Sequence, residues 1–127
     1  MIRIGLVTLV VRDYDEAIRW FVDVLGFVLH EDTPLSDEKR WVVIGPVGGD
    51  TRLLLARATG TQTERIGDQT GGRVAFFLRT DDFAATHDRM VAAGVQFAEA
   101  PRIEPYGTVA VFVDLYGNRW DLVGPIG

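Results

Sequence analysis

The sequence predicts an α+β fold: two repeated β-α-β-β-β modules forming a curled, eight-stranded mixed sheet, a half-open barrel around a cavity with the helices outside. The first observation behind this is a hairpin pattern near the C-terminus. Val109, Val111 and Val113 alternate with Ala110 and Phe112, Gly117-Asn118 punctuates, and Arg119, Asp121 and Val123 alternate with Trp120 and Leu122. The second is a repeat: VTLVVR at 7–12 returns as VAFFLR at 74–79, an offset of 67 (74 minus 7), and Gly26 returns as Gly94, an offset of 68 (94 minus 26). The third is the ratio of elements. One helix covers only one face of four strands, so each module leaves a sheet face bare and the two must curl around a shared interior, within one chain or between two chains.

Ile2 to Arg12 reads as a strand rich in Val, Ile and Leu. Asp13 then caps a helix, with Glu16 completing a D-x-x-E capping box, and Ala17, Ile18, Phe21, Val24 and Leu25 form a helical stripe before Gly26 stops it. Phe27–Glu31, Arg40–Ile44 and Thr51–Arg57 read as strands two to four, separated by the polar loop 33–39 and the turn GPVGGD at 45–50. The polar segment 59–71 has no apolar period and reads as a connector between modules 1–58 and 72–127 of one domain; its residues 61–70 either close over a cavity or stay loose. The second module repeats the order: strand 74–79, a helix capped by Asp81 or Asp82 with Phe83, His87, Met90 and Val91 along one face, strand 95–99, a loop at 100–107, and strands 108–112 and 119–123.

At 127 residues the chain is one compact domain able to bury about two-thirds of its unfolded surface. It has 47% hydrophobic and 24% charged residues, ordinary for a globular protein. With no cysteine there is no disulfide framework, thiolate metal site or thiol nucleophile. The apolar N-terminal run is too short to span a membrane and leads into a capped helix, so a cytoplasmic location is expected. A net charge of -5 argues against nucleic acid and anionic membranes as partners, since both call for a basic patch; a small neutral or cationic ligand suits the chain better.

Two segments carry a resemblance. VRDYDEAIRWFVDVLGF at 11–27 is similar to a strand-helix segment ending in FY-x-x-x-LGF, and DLYGNRWDL at 114–122 to a D-P-D-G-N-x-x-E-L ending. Together with the module repeat, these resemble the vicinal oxygen chelate superfamily, which includes glyoxalases, bleomycin-resistance proteins and extradiol dioxygenases. The resemblance implies a divalent ion held by one side chain from the first and one from the fourth strand of each module. Those positions are occupied here by Leu6, Arg73, Leu54 and Asp121, of which only Asp121 has a lone pair to offer a metal. The two histidines, His30 and His87, fall elsewhere. The expectation is therefore a protein with no metal and no cofactor, and, by the same resemblance, a homodimer.

Trp120 and Leu122 share one face of their strand, so Arg119 and Asp121 share the other, either the wall of a ligand cavity or a solvated sheet face. An Arg73–Asp121 ion pair is expected where relatives hold metal, there to read a ligand or to set the sheet register. Alternation brings Thr8 to the face of Leu6, Arg52 to that of Leu54, and Phe77 to that of Arg73, with Trp41 on a third strand; Phe77 and Trp41 also suit a core. Glu104 and Tyr106 sit in the loop before a strand, Tyr106 either bonding a ligand or anchoring a turn beside Pro105. Three functions compete: a metal-free protein binding a small aromatic or cationic molecule in the cavity; a lyase-, isomerase- or dioxygenase-type enzyme using Asp121 with Tyr106 or Glu104, or a metal with relocated ligands; and an interaction domain with a vestigial cavity. No Ser-His-Asp arrangement, P-loop or dinucleotide fingerprint is present.

Overall fold

The computed structural model describes residues 1–126, which form two compact units, the first Met1–Ile66 and the second beginning at Gly67. Each unit has its own mixed sheet, of four and five strands, and neither sheet is closed. Among the described residues no helix is long and apolar enough to cross a membrane.

The first unit runs β1 (Leu6–Val11), α1 (Tyr14–Arg19), β2 (Val28–Pro34), β3 (Arg40–Gly45) and β4 (Arg52–Arg57). Its strand order is β1-β4-β3-β2, with β1 parallel to β4 and the other pairs antiparallel. Asp13 caps α1 by accepting the Glu16 N–H at 2.8 Å. From Trp20 to Val24 the helix widens into a π turn, the Leu25 N–H reaching the Trp20 carbonyl at 3.0 Å, before Gly26 reverses the chain at φ 88°. Lateral pairing puts Leu9, Leu55 and Val42 in one row and Leu53 beside Ile44; all are buried, with Ala17 and Phe21 of the helical segment. The opposite face carries Thr8, Leu54 and Val43, then Leu6 beside Arg52, and of these only Val43 is buried. β1 begins at Leu6, not Ile2, because its parallel partner β4 begins at Arg52. β2 continues past Glu31 to Pro34, where an edge strand tolerates a residue without an N–H.

In the second unit β5 (Val74–Arg79), α2 (Phe83–Ala92), β6 (Gln96–Phe97), β8 (Gly107–Val113) and β9 (Arg119–Gly124) repeat that order. The sheet runs β5-β9-β8-β6, with β5 parallel to β9. The ninth strand, β7 (Arg102–Glu104), lies in the segment expected to be a loop and pairs with β8. Asp82 is the helix cap, accepting the Ala85 N–H. Phe76, Trp120 and Phe112 form a lateral aromatic row, extended by Phe97 and by His87, which stacks between Phe83 and Phe97. Met90 is buried, but Val91 is half-exposed: α2 rests on β9 along a single stripe, and Val91 falls beside it.

The DLYGN turn is held by one carboxylate. Asp114, itself buried, accepts the backbone N–H of Tyr116 and Asn118, the Asn118 amide and the Trp120 indole N–H, each at 3.0 Å. Asn118 then accepts the Gln69 N–H, tying the connector to the turn. Gly67 packs so closely there, at φ 75°, that a Cβ would overlap the Tyr116 carbonyl. The connector also contains a 3₁₀ helix, Gly60–Arg65, with a Thr59–Gln62 capping box.

Candidate functional site

Among the described residues, Asp121 is the one carboxylate on the helix-free face of the second sheet that its neighbours leave incomplete. Register places it between Phe77 on β5 and Val111 on β8, opposite in direction to Trp120 and Leu122, as alternation predicts. It is 4% exposed, and its Oδ1 has no hydrogen-bond partner. A buried carboxylate without donors resists ionisation, so burial pushes the Asp121 carboxyl above the ordinary carboxylate range; the positive fields of Arg102 and Arg119 offset part of that.

Arg102 is a candidate that sequence reasoning missed. It projects from β7 beside Val109 and bonds Glu99 through Nη1 and Glu104 through Nε, the latter at 2.9 Å, with the Tyr106 side chain a further partner. Glu104 foremost, then Tyr106, hold its guanidinium pKa above the ordinary value. Glu99 in turn accepts the Val111 N–H at 3.0 Å. Glu104 and Tyr106 thus bond the arginine whose positive field reaches Asp121. The available signal was the spacing of Arg102 and Glu104, two apart and so on one face of a strand, but Pro101 and Pro105 on either side favour a loop reading. Gly107 makes the hairpin after Tyr106 possible: a Cβ there would overlap the Gly124 carbonyl.

The expected Arg73–Asp121 ion pair does not form. Arg73 precedes β5 and is exposed, its carbonyl accepting the Thr70 hydroxyl at 2.6 Å. The register slips between Val74, which pairs with Arg119, and Phe76, which pairs with Trp120. That bulge at Ala75 inverts the alternation upstream, so Arg73 and Phe77 do not share a face. Phe77 does lie beside Asp121 and is 61% exposed. Arg119 is exposed two residues before Asp121 on the same strand.

The remaining candidates lie in the first unit. Trp41 and Leu54 line a cavity of about 460 Å³ where β3 begins and β4 ends. Leu6 and Arg52 line another of about 400 Å³, with Arg3, Glu31 and Asp50. Thr8 is exposed beside Leu54 and lines neither.

The residues do not fit a divalent metal. Leu6 and Leu54 have no lone pairs to give and Arg73 only donors, and among the described residues no three His, Cys, Asp or Glu side chains are grouped closely enough to hold an ion. His30 sits at a register slip in β2 with Nε2 buried and unbonded, and His87 is enclosed by aromatic rings.

Over residues 3–122 the chain matches the family described as Glyoxalase/Bleomycin resistance protein/Dioxygenase superfamily. A protein of Shewanella frigidimarina (strain NCIMB 400), described as uncharacterized, is 52% identical over 120 residues, 92% of this chain and 89% of that one. Two solved structures are similar along nearly their whole lengths. UcmS2 has a TM-score of 0.83 at 30% identity, with 97% of this chain and 98% of that chain covered. TnmS3, described as an antibiotic binding protein from Streptomyces sp. CB03234, has a TM-score of 0.80 at 31% identity, covering 98% and 97%. With the repeated modules, both sheets and the family match in agreement, the chain belongs to the glyoxalase/bleomycin resistance protein/dioxygenase superfamily.

Proposed function

We propose that this chain is a metal-free binding protein that takes up a small aromatic or cationic molecule on the open face of its second sheet, without converting it. The observation that carries the reading is Asp121 Oδ1, a buried acceptor with no donor, beside the exposed ring of Phe77. Leaving such an acceptor bare is unfavourable by about 1–3 kcal/mol, and a ligand N–H or ammonium that turns Phe77 aside and bonds Asp121 removes that cost. Phe77 then stacks on the ligand, and Arg119 and Tyr106 border it. The antibiotic binding described for TnmS3, at 31% identity, supports the same reading. We also propose that the chain works as a homodimer, with exposed Leu6 and Val7 of the edge strand β1 contributing apolar surface.

Thermal-shift screening against small aromatic amines and glycopeptide antibiotics tests this. A ligand at a hundred times its Kd is expected to raise Tm by on the order of 10 °C. Stabilisation by Ni, Zn, Mn or Fe alone, or one of these metals bound stoichiometrically in the purified protein, contradicts it. A second reading has its own observation: Asp121, whose carboxyl burial pushes above the ordinary carboxylate range, lies in the positive field of Arg102, which bonds Glu104 and Tyr106, groups suited to acid-base chemistry. Mass spectrometry of ligand recovered after incubation separates the two, since a binder returns it unchanged and an enzyme does not.

A further inference from the structure

On the helix-free face of the second sheet, an arginine with two carboxylate partners stands near a carboxylate with none. Register defines the arrangement: Arg102, Val109 and Val123 form one row across β7, β8 and β9, and Val111 and Asp121 form the next row on the same face. Arg102 and Asp121 are thus one strand and two residues apart, about 12 Å between Cα atoms, a span that an extended guanidinium side chain and an aspartate close over Val111. Arg102 is turned elsewhere. It gives Nη1 to Glu99 and Nε to Glu104, the latter at 2.9 Å, while Asp121 Oδ1 has no partner among the described residues.

Both glutamates are fixed by the backbone around them. Glu99 lies in the link between β6 and β7, and the oxygen that accepts from Arg102 also accepts the Val111 N–H at 3.0 Å, just where β6 stops pairing with β8. Glu104 ends β7 opposite Gly107, inside the hairpin that carries Tyr106. Solvation argues that Arg102 would turn to Asp121 if these partners let it go. The Glu99 and Glu104 side chains are 33% and 34% exposed, so water replaces the arginine there, whereas Asp121, at 4%, has no such substitute. Of the two arginine fields that reach Asp121, that of Arg102 is the larger.

We propose that Glu99 and Glu104 are positioning residues that hold Arg102 off Asp121 and so keep Asp121 Oδ1 open to a ligand donor. Released from them, Arg102 crosses Val111, bonds Asp121 and closes the site on itself. The proposal rests on the reading of Asp121 as the ligand's acceptor, and it adds what keeps that acceptor available on a sheet face that also presents arginines.

The test is the Glu99→Gln/Glu104→Gln variant, read by NMR through the Arg102 Nε–H resonance, which is identified by its loss in Arg102→Met. In the parent, Asp121→Asn is expected to leave that resonance unmoved, since its partner is Glu104. In the glutamine variant the same substitution is expected to shift it, since its partner has become Asp121. The second arm is titration with indole, an uncharged aromatic N–H donor whose affinity does not follow the change in net charge. The glutamine variant is expected to bind indole about tenfold more weakly than the parent, and the addition of Arg102→Met to restore the parent affinity. Glu104→Gln alone leaves the Glu99 bond to the Val111 N–H in place and is expected to move both readouts in the same direction, so the result does not depend on the double variant folding. An Arg102 resonance indifferent to Asp121 in the glutamine variants, or a lost affinity that Arg102→Met does not restore, would overturn the proposal. Failure of the parent to bind indole, with the Arg102 resonance responding to Asp121 as expected, would count against the binding reading and support the hold on Arg102.

Discussion

Asp121 sits where the first module has Leu54, and the exchange of a leucine for an acid sets its physics. Because burial raises its folded pKa above the unfolded value, its contribution to stability is fully present below the ordinary carboxylate pKa and is lost as pH rises through the raised one. Asp121→Leu is therefore expected to match the parent in urea denaturation near pH 3 and to exceed it by about 1–3 kcal/mol at neutral pH. A difference that is constant with pH, or that shrinks as pH rises, contradicts the assignment. That Asp121 opposes Trp120 and Leu122 was legible from alternation alone. The position of Arg73 was not, because nothing in RVAFFLR distinguishes a regular strand from one with a bulge at Ala75. Alternation carries a side chain's direction only as far as the ladder is unbroken.

The hairpin β8–β9 depends on its turn, and the turn on Asp114. Asp114→Ala removes the acceptor of four hydrogen bonds in a buried place, and a loss of about 3 kcal/mol in urea denaturation is expected, with Asp114→Asn recovering part of it. A loss below about 1 kcal/mol would mean that water replaces those bonds. Sequence pattern alone located both helices, the cap Asp13, a choice of Asp81 or Asp82 that the structure resolves to Asp82, and eight of the strands, because those signals are local. It passed over β7, whose three residues lie between prolines and pair only with β8. Losing β7 from view also hid Arg102, and with it the field at Asp121 and the bonds to Glu104 and Tyr106. The cavity of the first unit was hidden for a related reason: its charged residues come from loop 35–39 and the end of β4, brought together only by tertiary folding.

The repeat at an offset of 67 was visible in the sequence and reappears as two units with the same order of elements apart from the added β7, each with its own buried core. That order, with the DLYGN turn and the LGF segment, is what a family resemblance can carry, and the family is borne out. The four positions that the resemblance associates with a metal carry no such information about what the site binds; that question turns on local burial and pairing around Asp121. The proposed homodimer of 14.1 kDa chains is expected to sediment as a pair at micromolar concentration, and a monomer under those conditions contradicts the pairing. Binding itself is decided by titrating the most stabilising aromatic amine from the thermal screen into the parent protein and into Asp121→Leu by calorimetry. Loss of the carboxylate acceptor should weaken the affinity about tenfold to a hundredfold; equal affinities in the two proteins would show that Asp121 reads no ligand.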